Sequence, residues 1–371
     1  MKICTIICEY NPLHNGHVRL LNFARRYADT ICCVMSGDFV QRGMPAIADK
    51  YTRARHAVLA GADIVAELPA VFSLSSAENF ATGGIKIANA VKSDFLAFGC
   101  ESATAEQLSD CAAALKDPDV NVRIKKFIQE GNSYPKAVAL GLPEYSEILS
   151  RPNNTLALEY AKALSATRSE IKMIVCDRPD NYNCDGLKGE YASATAIRNN
   201  FDDRQIQKYL PSFVDPTLFN RDAEQQFKRY CALFLSANGM REDIEGVSEG
   251  LHNRFNKQRT SGDYDEIISN VKTKRYTQVK LQRLLACNAL GITKEITKIA
   301  KSQTPYFTVL AVNSKREDIL SHLAQCNLTA PKQLTDIRTK VAEIDAHAHD
   351  LYRALTGAHT VAQMQKVQPL Q

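Results

Sequence analysis

His14, Gly16 and His17 stand where an apolar run gives way to a helical pattern, in the segment Glu9-Tyr10-Asn11-Pro12-Leu13-His14-Asn15-Gly16-His17. Imidazoles at this spacing can donate hydrogen bonds to phosphate oxygens, and a glycine between them keeps a side chain out of the approach. A strand-to-helix turn adds free backbone N–H groups and the positive end of the helix dipole. By itself the segment also fits an ordinary polar turn with Asn11 or Asn15 near a helix cap. A second set, Ser193, Thr195 and Arg198, follows about one domain later. Hydroxyls and a permanently charged guanidinium suit phosphate oxygens equally well, although alone they too read as a cap with a solvent-facing arginine. The pairing of the two sets favours phosphate binding over two unrelated caps.

Positioning such groups requires a sheet. Short apolar runs at 3–8, 30–35, 63–68, 94–98 and 171–176 alternate with helical patterns, which predicts a parallel sheet with helices on both faces. Right-handed crossovers then bring the turns at 14–17, 36–38, 67–69 and 99–101 to one edge. After about residue 200 helical patterns dominate, at 222–249, 264–290 and 330–355, while 307–312 reads as a strand or the start of a buried helix. The fold class expected is therefore α/β, a Rossmann-like parallel-sheet domain over 1–202 followed by a mainly α-helical domain over 203–371. The tail beyond Gly357 carries little pattern and is expected to be loosely ordered.

The chain has 371 residues, 45% of them hydrophobic and 23% charged, as in a soluble globular protein. No apolar run is long enough to span a bilayer, and the N-terminal run is too short for a secretory signal, so a cytoplasmic location is expected. Eleven cysteines include no C-x-x-C pair, and neither they nor the eight histidines form a metal-spaced set. His347 and His349 are assigned to a solvated helix. The net charge is only +5, but residues 251–303 hold eleven Lys and Arg against four acids. Such a block is either a footprint for a polyanion or a solvated helical face.

The two phosphate motifs together resemble the His-x-Gly-His nucleotidylyltransferase superfamily. Four further blocks narrow the likeness: Met35 to Gly43, Gly61 to Pro69, Pro152-Asn153-Asn154 and Lys272-Thr273-Lys274-Arg275-Tyr276-Thr277. In that order and over residues 1 to about 290, the chain resembles the bacterial tRNA(Met) cytidine acetate ligase family, with Leu13 where the family usually has Phe. The resemblance implies an enzyme that forms acetyl-adenylate from acetate and ATP, then acetylates N4 of the wobble cytidine of elongator tRNA(Met).

It also implies that ATP lies against Ile7, Cys8, Glu9, Tyr10, Asn11, Pro12, Leu13, His14, Asn15, Gly16, His17, Val18, Arg19 and Leu20. Gly99, Asn153 or Asn154, Arg178, Ser193, Thr195 and Arg198 complete that site, with His14 and His17 in the catalytic role. Lys272, Lys274, Arg275, Lys280 and Arg283 would hold the tRNA. Mg2+ is expected with the triphosphate on general grounds, without a carboxylate cluster to nominate its ligands. A small-molecule adenylyltransferase would use the same site but leaves the basic helical half without a task. A non-enzymatic RNA-binding protein would have no need of two intact phosphate motifs.

Overall fold

The computed structural model describes residues 1–149, 151–177, 186–187, 189–326, 337–358 and 363–369. Its centre is a seven-stranded sheet, whose inner strands are too apolar to face water on either side. The strands are β1 (Ile3–Cys8), β2 (Thr30–Ser36), β5 (Ile64–Leu68), β6 (Phe95–Cys100), β7 (Lys172–Asp177), β8 (Val309–Asn313) and β9 (Gln365–Val367), in the order β7-β6-β1-β2-β5-β8-β9. Five of them, β7 through β5, are mutually parallel, and β8 runs antiparallel to β5. A separate two-stranded hairpin, β3 (Phe39–Val40) and β4 (Met44–Pro45), rises from the end of β2.

Helices Asn15–Ala24 and Lys50–Leu59 cover one face of the sheet, with Leu21, Ala24, Ala54 and Val58 packed beneath them. The helix Ala77–Ala90 lies on the other face, joined there by C-terminal helices through Phe227, Leu284 and Tyr352. Pro152–Ala166 and its neighbours close the β6–β7 end around Leu158 and Leu164.

Beyond residue 203 the described chain is mostly helical, but β8 and β9 extend the N-terminal sheet rather than forming one of their own. The segment left open between strand and helix is thus strand Val309–Asn313, and the expectation of a loosely ordered tail is corrected by β9, which pairs with β8 from Ala311↔Gln365 to Asn313↔Val367. Both runs are too short for periodicity to separate strand from buried helix; an open sheet edge decided the outcome.

The assignment of His349 to a solvated helix face is also corrected. On the helix Ile337–Thr356, His347 is exposed, but His349 is buried, and its Nδ1 lies 2.8 Å from Asp38 Oδ2. Nearby, Lys50 Nζ sits 2.8 and 2.9 Å from the two oxygens of Glu67, and the backbone N–H of Ala70 donates to Asp345 at 2.7 Å. This buried charge cluster fastens the long C-terminal helix to the turns that follow β2 and β5. Gly37 lies against this cluster, where a Cβ would run into the Glu67 carboxylate that Lys50 holds in place.

Candidate active site

The first βα turn is held from below. Arg53, 1% exposed, donates to the carbonyls of Glu9 (2.6 Å), Ser36 (3.1 Å), Ala48 (2.9 Å) and Gly37. One guanidinium therefore collects the carboxyl ends of β1 and β2. Asn11 Oδ1 accepts from the N–H of Ile47 at 2.9 Å, and Glu9 Oε1 accepts from the N–H of Gln41 at 2.7 Å. The latter bond draws the β3–β4 hairpin over the turn.

His14 is the N-cap of the Asn15–Ala24 helix, and together with His17 it forms a reciprocal capping box. The backbone N–H of His14 donates to His17 Nδ1 at 3.3 Å, and the two rings stack with centroids 3.6 Å apart. The pair is layered. His14 is 1% exposed and lies behind, while His17 forms part of a cavity wall. The bond at Nδ1 helps to fix the His17 ring in that wall.

The cavity has a volume of about 450 Å³ and sits at the carboxyl edge of β1, β6 and β7. This is the crevice where open α/β sheets bind nucleotides, and its volume suits one. Among the expected residues, Ile7, Cys8, Glu9, Tyr10, Asn11, Gly16, His17, Arg19, Leu20, Gly99, Asn153 and Arg198 line it. Pro12, Leu13, His14, Asn15, Val18, Asn154, Ser193 and Thr195 do not form its wall. Leu13 is fully buried in the core, and Asn15 Nδ2 donates away to the carbonyl of Lys208 at 2.9 Å.

Asn154 is buried against Cys100, Glu101 and Ser102, with Oδ1 accepting the Glu101 N–H at 3.0 Å, so Asn153 is the member of that pair facing the cavity. Ser193 caps its short helix by accepting the N–H of Ala196 at 3.0 Å. Arg178 lies outside the described residues.

Arg198 bonds to Thr195 Oγ1 at 3.1 Å and to the carbonyl of Asn11, which ties the second motif onto the first. Burial, then the charge of Arg42, pulls its pKa below the usual arginine value. Two guanidiniums therefore face one cavity, together with Arg19, and an anion entering there relieves their repulsion. The sequence reading missed Arg42 and Gln41 on the hairpin turn, and Tyr160 and Tyr191 on the far walls. The hairpin lies inside the Met35-to-Gly43 block, but two-residue strands carry no periodicity from which a roof over the site could be inferred.

Of the basic residues assigned to tRNA, Lys272, Lys274 and Arg275 are exposed, and Arg275 pairs with Glu249 at 2.6 Å. Lys280 and Arg283, on the helix Gln278–Leu290, are half-buried, and Arg283 donates to the carbonyl of Gln41 at 3.3 Å. The basic segment therefore touches the hairpin that roofs the nucleotide cavity. Among the described residues, no group of three His, Cys, Asp or Glu could hold a metal, and no helix is long and apolar enough to cross a membrane.

Comparison with known proteins points to one family. The family model for the HIGH nucleotidyl transferases matches residues 1–368. The tRNA(Met) cytidine acetate ligase of Clostridium novyi (strain NT) is 35% identical, covering 91% of this chain and 92% of its own. That of Acetivibrio thermocellus is 33% identical, over 95% and 94%. The crystal structure of Thermotoga maritima TmcAL bound with alpha-thio ATP superposes with a TM-score of 0.86 at 26% identity, covering 99% of this chain and all of that one. The chain belongs to the tRNA(Met) cytidine acetate ligase family, a branch of the HIGH nucleotidyl transferases.

Proposed function

We propose that this chain is an ATP-dependent acetate ligase that forms acetyl-adenylate and passes the acetyl group to N4 of the wobble cytidine of elongator tRNA(Met). The observation that carries the reading is the cationic cavity at the carboxyl edge of the sheet, in a chain whose full-length relatives bear that name. An acetate oxygen attacks the α-phosphorus, the bond to the bridging oxygen breaks, and pyrophosphate departs. The protein supplies no nucleophile, so its part is positioning and charge stabilisation. His17 donates to the α- and β-phosphate oxygens while His14, stacked behind it, fixes the ring. Arg42 and Arg198 take the outer phosphates. Phe98, Gly99, Leu156 and Tyr160 form the apolar side of the cavity, suited to the adenine ring.

Mg2+ is expected to accompany the triphosphate and would supply charge neutralisation on its oxygens. In the second step N4 attacks the acetyl carbonyl. The new C–N bond forms as the acyl C–O bond breaks, AMP leaves with the electron pair, and N4 yields one proton to water. Lys272, Lys274, Arg275, Lys280 and Arg283 hold the RNA backbone, and a tRNA substrate places the enzyme in the bacterial cytoplasm.

The test is incubation with labelled acetate, ATP and tRNA(Met), followed by nucleoside analysis. N4-acetylcytidine in the digest is expected. Acetate label left free while ATP is converted to another AMP-linked product, with none on RNA, would favour the small-molecule adenylyltransferase instead.

A further inference from the structure

A second cavity, about 610 Å³, adjoins the nucleotide cavity and shares Gln41, Ala77 and Thr155 with it. We propose that this second cavity seats the acyl-accepting pyrimidine nucleoside, turned out of its tRNA loop, with Tyr134 as the ring on which the base stacks. The inference rests on the ligase reading above and deepens it by giving the second substrate a place.

A nucleoside that attacks acetyl-adenylate must border the α-phosphate, and the shared wall provides that border. The interior suits a flat, weakly polar ring, since Leu74, Val138, Leu158 and Leu284 form much of its surface. Its wall also carries Lys280 and Arg283, whose pKa values burial lowers, beside Glu78, Glu159, Glu245 and Glu249, of which Glu159 pairs with Lys162 and Glu249 with Arg275. Lys280 and Arg283 are the cations assigned to the flanking phosphates of the everted nucleotide. Sequence-specific RNA recognition works on splayed bases stacked upon aromatic side chains.

Two tyrosines line the cavity, each with a lysine near its ring (Lys162 Nζ stands 5.8 Å from the Tyr134 centroid), and they differ in exposure. Lys280 Nζ stands 4.8 Å from the ring centroid of Tyr276, whose hydroxyl bonds to Glu249 Oε2 at 2.6 Å in a residue 8% exposed. Tyr134, at the start of the helix Tyr134–Gly141, remains 48% exposed at the cavity wall. The cytosine amine would then point toward Ala77 and Thr155.

The experiment uses the full chain and measures two rates on each preparation: acetate-dependent ATP–pyrophosphate exchange, and acetyl transfer to tRNA(Met). Tyr134→Ala is expected to lower the ratio of transfer to exchange by about ten- to a hundredfold, the loss of one base–aromatic stack. Tyr134→Phe should restore it. Ser248→Trp, which fills the cavity from an exposed loop position, should lower the same ratio without disturbing the core. Wild-type ratios in both Tyr134→Ala and Ser248→Trp would overturn the proposal. A wild-type enzyme that exchanges with acetate but transfers nothing to tRNA would instead overturn the ligase reading beneath it.

Discussion

His17 is the residue to which the proposed adenylation chemistry assigns phosphate contact. Its ring belongs both to a capping box and to the cavity wall, and the hydrogen bond at Nδ1 helps to fix it there. Loss of one preorganised donor to a developing oxyanion costs about a hundred- to a thousandfold in rate. His17→Ala is therefore expected to lower ATP–pyrophosphate exchange by that factor, with a smaller change in the KM for ATP; unchanged exchange would remove the imidazole from the mechanism. The motif was legible because its residue types are unusual for a turn. The split between the histidines was not, since spacing alone cannot say which ring faces a ligand and which lies beneath it. Arg53 was equally hidden, because four of its partners are backbone carbonyls, and no sequence pattern marks a carbonyl as needing a donor.

At the scale of elements, the helix Ile337–Thr356 is locked to the sheet by its buried charge cluster. Burial pushes the Asp38 carboxyl up, but the bond from His349 and the charge of Lys50 outweigh it and hold the group below its usual value. Asp345 goes the other way: burial, then the nearby Glu67, raises it well above the carboxylate range. Its native form thus keeps a proton that the unfolded chain gives up near pH 4. That contribution is fully present below pH 4 and is lost as pH rises through the raised native value. Asp345→Asn keeps the acceptor for Ala70 and removes the titration. Its unfolding midpoint in urea should exceed the wild-type value at pH 8 and the advantage should shrink toward pH 4; parallel curves would show that Asp345 is already ionised.

Five sheet strands were readable as apolar runs alternating with helices. Strand β8 was not, because its place in the sheet is set by contacts more than 240 residues apart in sequence, as in the pairing of Ile64 with Val312, and β9 depends in turn on β8.

For the whole molecule, the two cavities share a wall, and Arg275, Lys280 and Arg283 of the basic segment line the second of them. If that segment holds a polyanion, affinity for tRNA should fall steeply as salt rises, and Lys272→Gln or Lys274→Gln should each reduce the salt slope by about one. Binding insensitive to salt would dissociate the basic segment from RNA. Charge asymmetry made this half visible in the sequence, whereas the hairpin that joins it to the active site emerges only in three dimensions. If the cavity at the carboxyl edge of the sheet activates acetate, ATP–pyrophosphate exchange measured with and without acetate should require acetate; exchange at an equal rate in its absence would show that acetate takes no part in adenylation.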